Sequence, residues 1–319
     1  MKAFFAALWI GWIGLATAGL IFASQKHVAV VTAAPIILAF LFEYVFYLIP
    51  GMEPMQKRLR LRYSNLYLAG GAALSAVAPY LIYSIATHQF RWIGLGIVMA
   101  LAGVASFWYV LLRRSAVVDI VFLCFAAAPL LARLFEHIYT SPIPQRIDVL
   151  GHLMWIRTCA FALIAVGKVD TSGYGFLPSN KNWAIGARHF LYFLPIGFPL
   201  AYALGIIRFN PGVISIWKVF GVFFGALWVV ALSEEFVFRG LLQPWFEKWT
   251  GNPHIALAAA SILFGLCHLP YRGFPNWKLA LVATVAGVAY GRARSQAGTI
   301  QASMVAHAMV VTVWRNVFT

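Results

Sequence analysis

Two adjacent carboxylates stand at the end of a long apolar run, Trp228-Val229-Val230-Ala231-Leu232-Ser233-Glu234-Glu235-Phe236-Val237-Phe238-Arg239-Gly240. Ionisable groups in such surroundings are costly and point first to function. On a helix, neighbours lie about 100° apart, so the two acids can do different work. Glu235 and Arg239 are spaced i,i+4 with the acid first, the favourable order for an ion pair. Glu234 then has no partner on its own helix and is free to face a cavity. A charge cluster at a helix end on the membrane surface explains the same spacing equally well.

Two further segments carry histidines in apolar settings. In Phe264-Gly265-Leu266-Cys267-His268 the aromatic ring and the imidazole are one turn apart and share a face. Gly265 permits close helix approach, as small residues do in membrane packing. His307 sits in Ala306-His307-Ala308-Met309. Either histidine alone reads as a structural hydrogen-bonding residue. Together with Glu234 they form a set that suits peptide hydrolysis. Glu234 would take a proton from water, and a neutral imidazole would share that proton or bind a metal. The other imidazole would stabilise the oxyanion. Glu234, His268 and His307 are also a candidate zinc set with an open water position. The HExxH motif of the commonest metalloproteases is absent.

The segment from about 213 to 314 resembles the CAAX protease and bacteriocin-processing family of intramembrane peptidases, which includes the type II CAAX prenyl endopeptidases. Glu234, Glu235 and Arg239 match its EExxxR motif, and Phe264 and His268 its FxxxH motif. His307 matches the start of HxxxN, but Val311 stands where the family carries Asn. Gly291 and Gly298-Thr299-Ile300 resemble the family's glycine-containing approach to that histidine. The resemblance implies that Glu234 and His268 activate water and that His307 stabilises the oxyanion. It implies that Glu235 and Arg239 support the site, with Phe264 beside His268. It leaves both a zinc mechanism and a glutamate-type mechanism open. Thr312 neighbours Val311 on another helical face. The implied substrate is a protein or peptide at the membrane, and the implied setting is a prokaryotic plasma membrane.

These residues need elements to position them, and composition says which. The chain has 319 residues, 62% hydrophobic and only 10% charged. Its mean hydropathy is +0.82. A soluble domain is roughly a quarter charged. Apolar runs of about 20 residues recur throughout, long enough to cross a bilayer as helices. The expected fold is all-α, a polytopic transmembrane helix bundle. Its spans lie roughly at 3–23, 28–50, 65–87, 92–112, 116–136, 151–167, 189–207, 213–233, 254–270, 278–293 and 298–317, about ten or eleven in all. The span at 151–167 is the weakest, because it is short and contains Arg157.

The net charge of +15 falls mainly between these runs, so it speaks for topology and anionic lipid headgroups rather than nucleic acid. The basic clusters at 56–62 and at Arg113-Arg114 are expected as cytoplasmic loops, with the N-terminus cytoplasmic too. Cys124, Cys159 and Cys267 lie in apolar segments and form no disulfide framework. Glu43, Asp119 and Glu136 read as structural partners, and His152, His189 and His254 as interfacial residues. The polar stretch 169–188, with Asp170 and Ser172, is the expected linker. It separates an N-terminal bundle of unassigned role, 1–168, from a protease-like domain, 189–319. Three functions compete: an intramembrane endopeptidase, a catalytically impaired relative serving as an immunity or scaffold protein, and a transporter using the acids and histidines as a proton relay.

Overall fold

A computed structural model describes residues 2–169, 173–212 and 215–319. Asp170 and Ser172 of the expected linker lie outside the described residues, as does Val213 at the start of an expected span. The described residues form thirteen helices and no strand. Six of these helices are long and apolar enough to cross a membrane. The chain divides into two compact units, Met1–Val169 and Asp170–Thr319.

The first unit holds α1 (Lys2–Gln25), α2 (Val30–Leu48), α3 (Glu53–Arg62), α4 (Asn65–Ala86), α5 (Trp92–Leu111), α6 (Ala116–Leu131), α7 (Leu134–Ile138) and α8 (Val149–Val166). The basic stretch expected as a loop at 56–62 is the helix α3. The chain turns there through Met52, with Pro54 in the first turn and Glu53 beside the helix N-terminus. The expected span 116–136 breaks at Ala132–Arg133 into α6 and α7. The doubtful span 151–167 is the most buried of the six long apolar helices. Arg157 explains how it can be so. Its Nε donates to Glu43 Oε1 at 2.6 Å, Nη2 to Glu43 Oε2 at 3.1 Å and Nη1 to Ser75 Oγ at 2.8 Å. A forked guanidinium meets a carboxylate at two points, which neutralises both charges inside the bundle.

The other acids of this unit follow the same rule. Asp119 accepts from Tyr109 Oη at 2.9 Å and from Arg114 at 3.3 Å. Outside the spans, hydrogen bonding by Arg133 holds the Glu136 carboxyl below its usual range, and Arg146 does the same to Asp148.

The second unit holds α9 (Asn180–Ala203), α10 (Ile216–Thr250), α11 (Pro253–Leu266), α12 (Trp277–Ala297) and α13 (Ile300–Val317). Residues 180–188, expected to be linker, are the first turns of α9. Ser179 caps that helix by accepting from the Asn182 N–H. Helix α10 runs 35 residues and is not uniformly α. It widens to π geometry at Ala226–Ala231 and again at Phe236–Leu242, leaving Leu232–Glu235 as an α segment between. Two glycines let α12 pack closely. A Cβ at Gly265 would stand 1.9 Å from Thr284 Oγ1, and one at Gly287 would stand 3.1 Å from Ser261 Cα. The core of this unit gathers Phe193, Ala201, Val282, Ala286, Ala306 and Val310 from α9, α12 and α13.

Glu43→Ala would leave the Arg157 guanidinium buried without its counter-charge. Its expected cost is about 3–5 kcal/mol, read as a lowered unfolding midpoint in detergent. Glu43→Leu with Arg157→Met should recover much of that loss.

Candidate active site

Arg239 lies in the second unit with no exposed surface. Its Nη1 donates to Glu235 Oε1 at 3.2 Å and its Nη2 to the Gly287 carbonyl at 3.0 Å. Its remaining surface is covered by aromatic faces. The guanidinium carbon lies 4.5 Å from the Phe264 ring centre and 5.5 Å from that of Tyr290. The i,i+4 pair expected from the sequence is therefore present and fully buried.

Glu235 has a second partner. His307 Nδ1 lies 2.8 Å from the same carboxylate oxygen, Oε1. A carboxylate paired with arginine can only accept, so Nδ1 carries the proton. That leaves Nε2 of His307 pointing elsewhere, and it lies 3.9 Å from Glu234 Oε2. The imidazole is fixed by stacking on Tyr290, at 4.6 Å and 12°, and by an edge-on contact with Phe264 at 5.8 Å.

His268 lies just past the end of α11 rather than within it. The helix stops at Leu266, and the His268 N–H turns back to the Gly265 carbonyl. The expected one-turn relation to Phe264 nonetheless holds: Nδ1 of His268 lies 2.8 Å from the Phe264 carbonyl and the rings stand 4.8 Å apart. A carbonyl can only accept, so Nδ1 carries a proton there and Nε2 is the nitrogen left to face the cavity.

Glu234, His268 and His307 line one cavity of about 460 Å³, with Tyr290 and Val311 also on its wall. Glu234 is part-exposed, at 31% of its side chain, whereas Glu235 shows none. The two neighbouring acids thus divide as their spacing allows: one faces the cavity and the other holds the frame. Oε2 of Glu234 is buried and has no hydrogen-bond partner within the protein. Val311 puts a methyl surface at the position of the family's amide. Thr312 does not replace it, because its hydroxyl donates to the Ala308 carbonyl at 2.6 Å.

The three residues of the expected zinc set share the cavity wall. Among the described residues, no group of three or more His, Cys, Asp and Glu side chains is arranged to hold one metal ion. Both histidines commit Nδ1 to protein acceptors, so each keeps only Nε2.

The residues around the site that spacing alone did not single out are Tyr290, Gly287 and Gln243. Tyr290 is the one bulky polar side chain in the centre of α12, one turn after Gly287, and that contrast was the available signal. Gln243 donates to Ser295 Oγ at 3.1 Å and fastens α10 to α12 further along. A Cβ at Gly287 would also meet Arg239 Nη2 at 3.1 Å. Gly287→Val is therefore expected to push α12 off the guanidinium. Its expected cost is about 1–3 kcal/mol in thermal unfolding, with a larger loss of whatever activity the cavity supports.

No curated protein and no solved structure matches the chain. A family model does. It spans every residue from Glu234 to His307 and leaves α1–α9 outside. Residues 216–313 match the family described as type II CAAX prenyl endopeptidase Rce1-like, which is consistent with the CAAX protease and bacteriocin-processing family of membrane proteases.

Proposed function

We propose that the second unit is an intramembrane endopeptidase that cuts a peptide bond of a membrane-associated protein or peptide by a glutamate-activated water. The observation that carries this is the division of the acid pair. Glu234, whose Oε2 has no hydrogen-bond partner within the protein, lines a cavity that it shares with His268 and His307, while Glu235 is spent on Arg239 and His307.

Glu234 accepts a proton as the water oxygen attacks the scissile carbonyl carbon. His268, as the neutral imidazole, accepts the water's second hydrogen in a hydrogen bond at Nε2 and orients the attack. The carbonyl oxygen gains negative charge. His307, held through Nδ1 by Glu235, turns Nε2 toward that oxygen as its hydrogen-bond donor. Collapse of the tetrahedral intermediate breaks the C–N bond, and Glu234 returns its proton to the leaving amine. No step passes through a metal. A membrane setting for the substrate follows from the apolar helices around the cavity, and the family match supports a peptide as the scissile chain.

Glu234→Gln and His268→Ala are each expected to abolish processing of a reporter peptide in proteoliposomes while the protein still inserts and stays monodisperse. Normal processing by both would sink the proposal. A phenotype that survives both substitutions would instead favour the scaffold reading that Val311 motivates. Val311→Asn places an amide one turn from His307 on the same cavity wall. It is expected to raise kcat with little change in KM, because an oxyanion donor acts in the transition state.

A further inference from the structure

The first unit has a cavity of its own, about 330 Å³, lined by Phe46, Leu59, Tyr67, Gly71, Arg157 and Phe161 among others. Its walls are apolar except for Arg157 and Ser75, and Arg157 is already neutralised by Glu43. Tyr67 and Tyr63 line it and are 73% and 43% exposed, so the cavity reaches the unit's surface. Leu59 and Tyr63 are one turn apart at the C-terminal end of α3, which makes that helix part of the rim.

Helix α3 is strongly basic. Lys57, Arg58, Arg60 and Arg62 stand against the single Glu53. Lys57, Arg58 and Arg62 are exposed, while Arg60 turns inward to the Ile164 carbonyl. Among the described residues Glu53, at the helix N-terminus, is the one acid of the unit not held by an arginine, so α3 keeps a net positive charge. The other four acids are each held by an arginine elsewhere: Glu43 by Arg157, Asp119 by Arg114, Glu136 by Arg133 and Arg146, and Asp148 by Arg146. An apolar cavity rimmed by a helix that carries three exposed cations matches a ligand with an apolar tail and an anionic head. A basic helix next to a membrane span, with exposed tyrosines, is placed where such headgroups lie.

We propose that this cavity and α3 form a site for an anionic phospholipid, the acyl chain entering between α2, α4 and α8 and the phosphate lying on Lys57, Arg58 and Arg62. The site is independent of the hydrolytic reading of the second unit.

Two variants separate tail from head. Gly71 has no atom within 4 Å of where a Cβ would stand, so Gly71→Leu starts its side chain in open space on the cavity wall, and leucine is the better helix former. Lys57→Ala, Arg58→Ala and Arg62→Ala together remove the exposed charge. The full chain, stripped of lipid in detergent, is mixed with phosphatidylglycerol or phosphatidylcholine of matched acyl chains. Retained lipid is counted by native mass spectrometry, and the unfolding midpoint confirms that each variant is folded. Wild type is expected to retain the anionic lipid by roughly tenfold over the zwitterionic one. The charge variant should lose roughly tenfold or more of that retention, at about fivefold per cation before screening. Gly71→Leu should lower retention of the anionic lipid severalfold with an unchanged or higher midpoint. Equal retention of both lipids by wild type overturns the proposal, and so does unchanged retention in either variant.

Discussion

A guanidinium with no contact to solvent needs partners inside the protein, and in the second unit that requirement organises everything near the cavity, although its Nε donates to no group. Arg239 takes one carboxylate from its own helix, one backbone carbonyl from α12 and the faces of Phe264 and Tyr290. Each of these partners then does a second thing. Glu235 holds His307, Tyr290 stacks on it, and Phe264 supports His268 through its ring and its carbonyl. Burying an ion is expensive unless its geometry is complete. The partners gathered here tie together four helices and both imidazoles at once.

The same constraint explains the small residues. Arg239 can reach the Gly287 carbonyl because α12 has no side chain there, and α11 can pack on α12 because Gly265 leaves room beside Thr284. The two π stretches flank the acid pair directly. Such widenings shift which residues face inward along a helix and recur at functional positions. In α10 they leave Glu234 and Glu235 on one short α segment, where adjacent side chains diverge enough for one to enter the cavity and the other to enter the frame.

The first unit solves its own charge problem by the same chemistry on different residues. Arg157 and Glu43 lie 114 positions apart in sequence and meet through two hydrogen bonds inside the bundle. That pair makes α8 compatible with deep burial despite its arginine. It also leaves one buried but neutral polar spot on the wall of an otherwise apolar cavity. The cations of α3 remain outside, and the arginine-bound acids of the unit are spent elsewhere.

Much of this was legible in the residues. The long apolar runs determined an all-helical membrane bundle, because backbone in lipid must satisfy itself locally. The i,i+4 order of Glu235 and Arg239 determined a pair on one helix, and the Phe264 to His268 spacing determined a shared turn. What local spacing does not encode is which distant surfaces meet. That His307 bonds Glu235 and not Glu234, that Tyr290 stacks on it, and that Arg157 finds Glu43 depend on helix packing across tens of residues. The basic stretch 56–62 shows the converse limit. Its charges said membrane surface, while the Glu53-Pro54 start that opens the helix lies just ahead of the basic run. Sequence determined the chemistry available and the helices that carry it. Tertiary structure decided the partners, because a buried charge is satisfied by whichever group the packed bundle brings within reach.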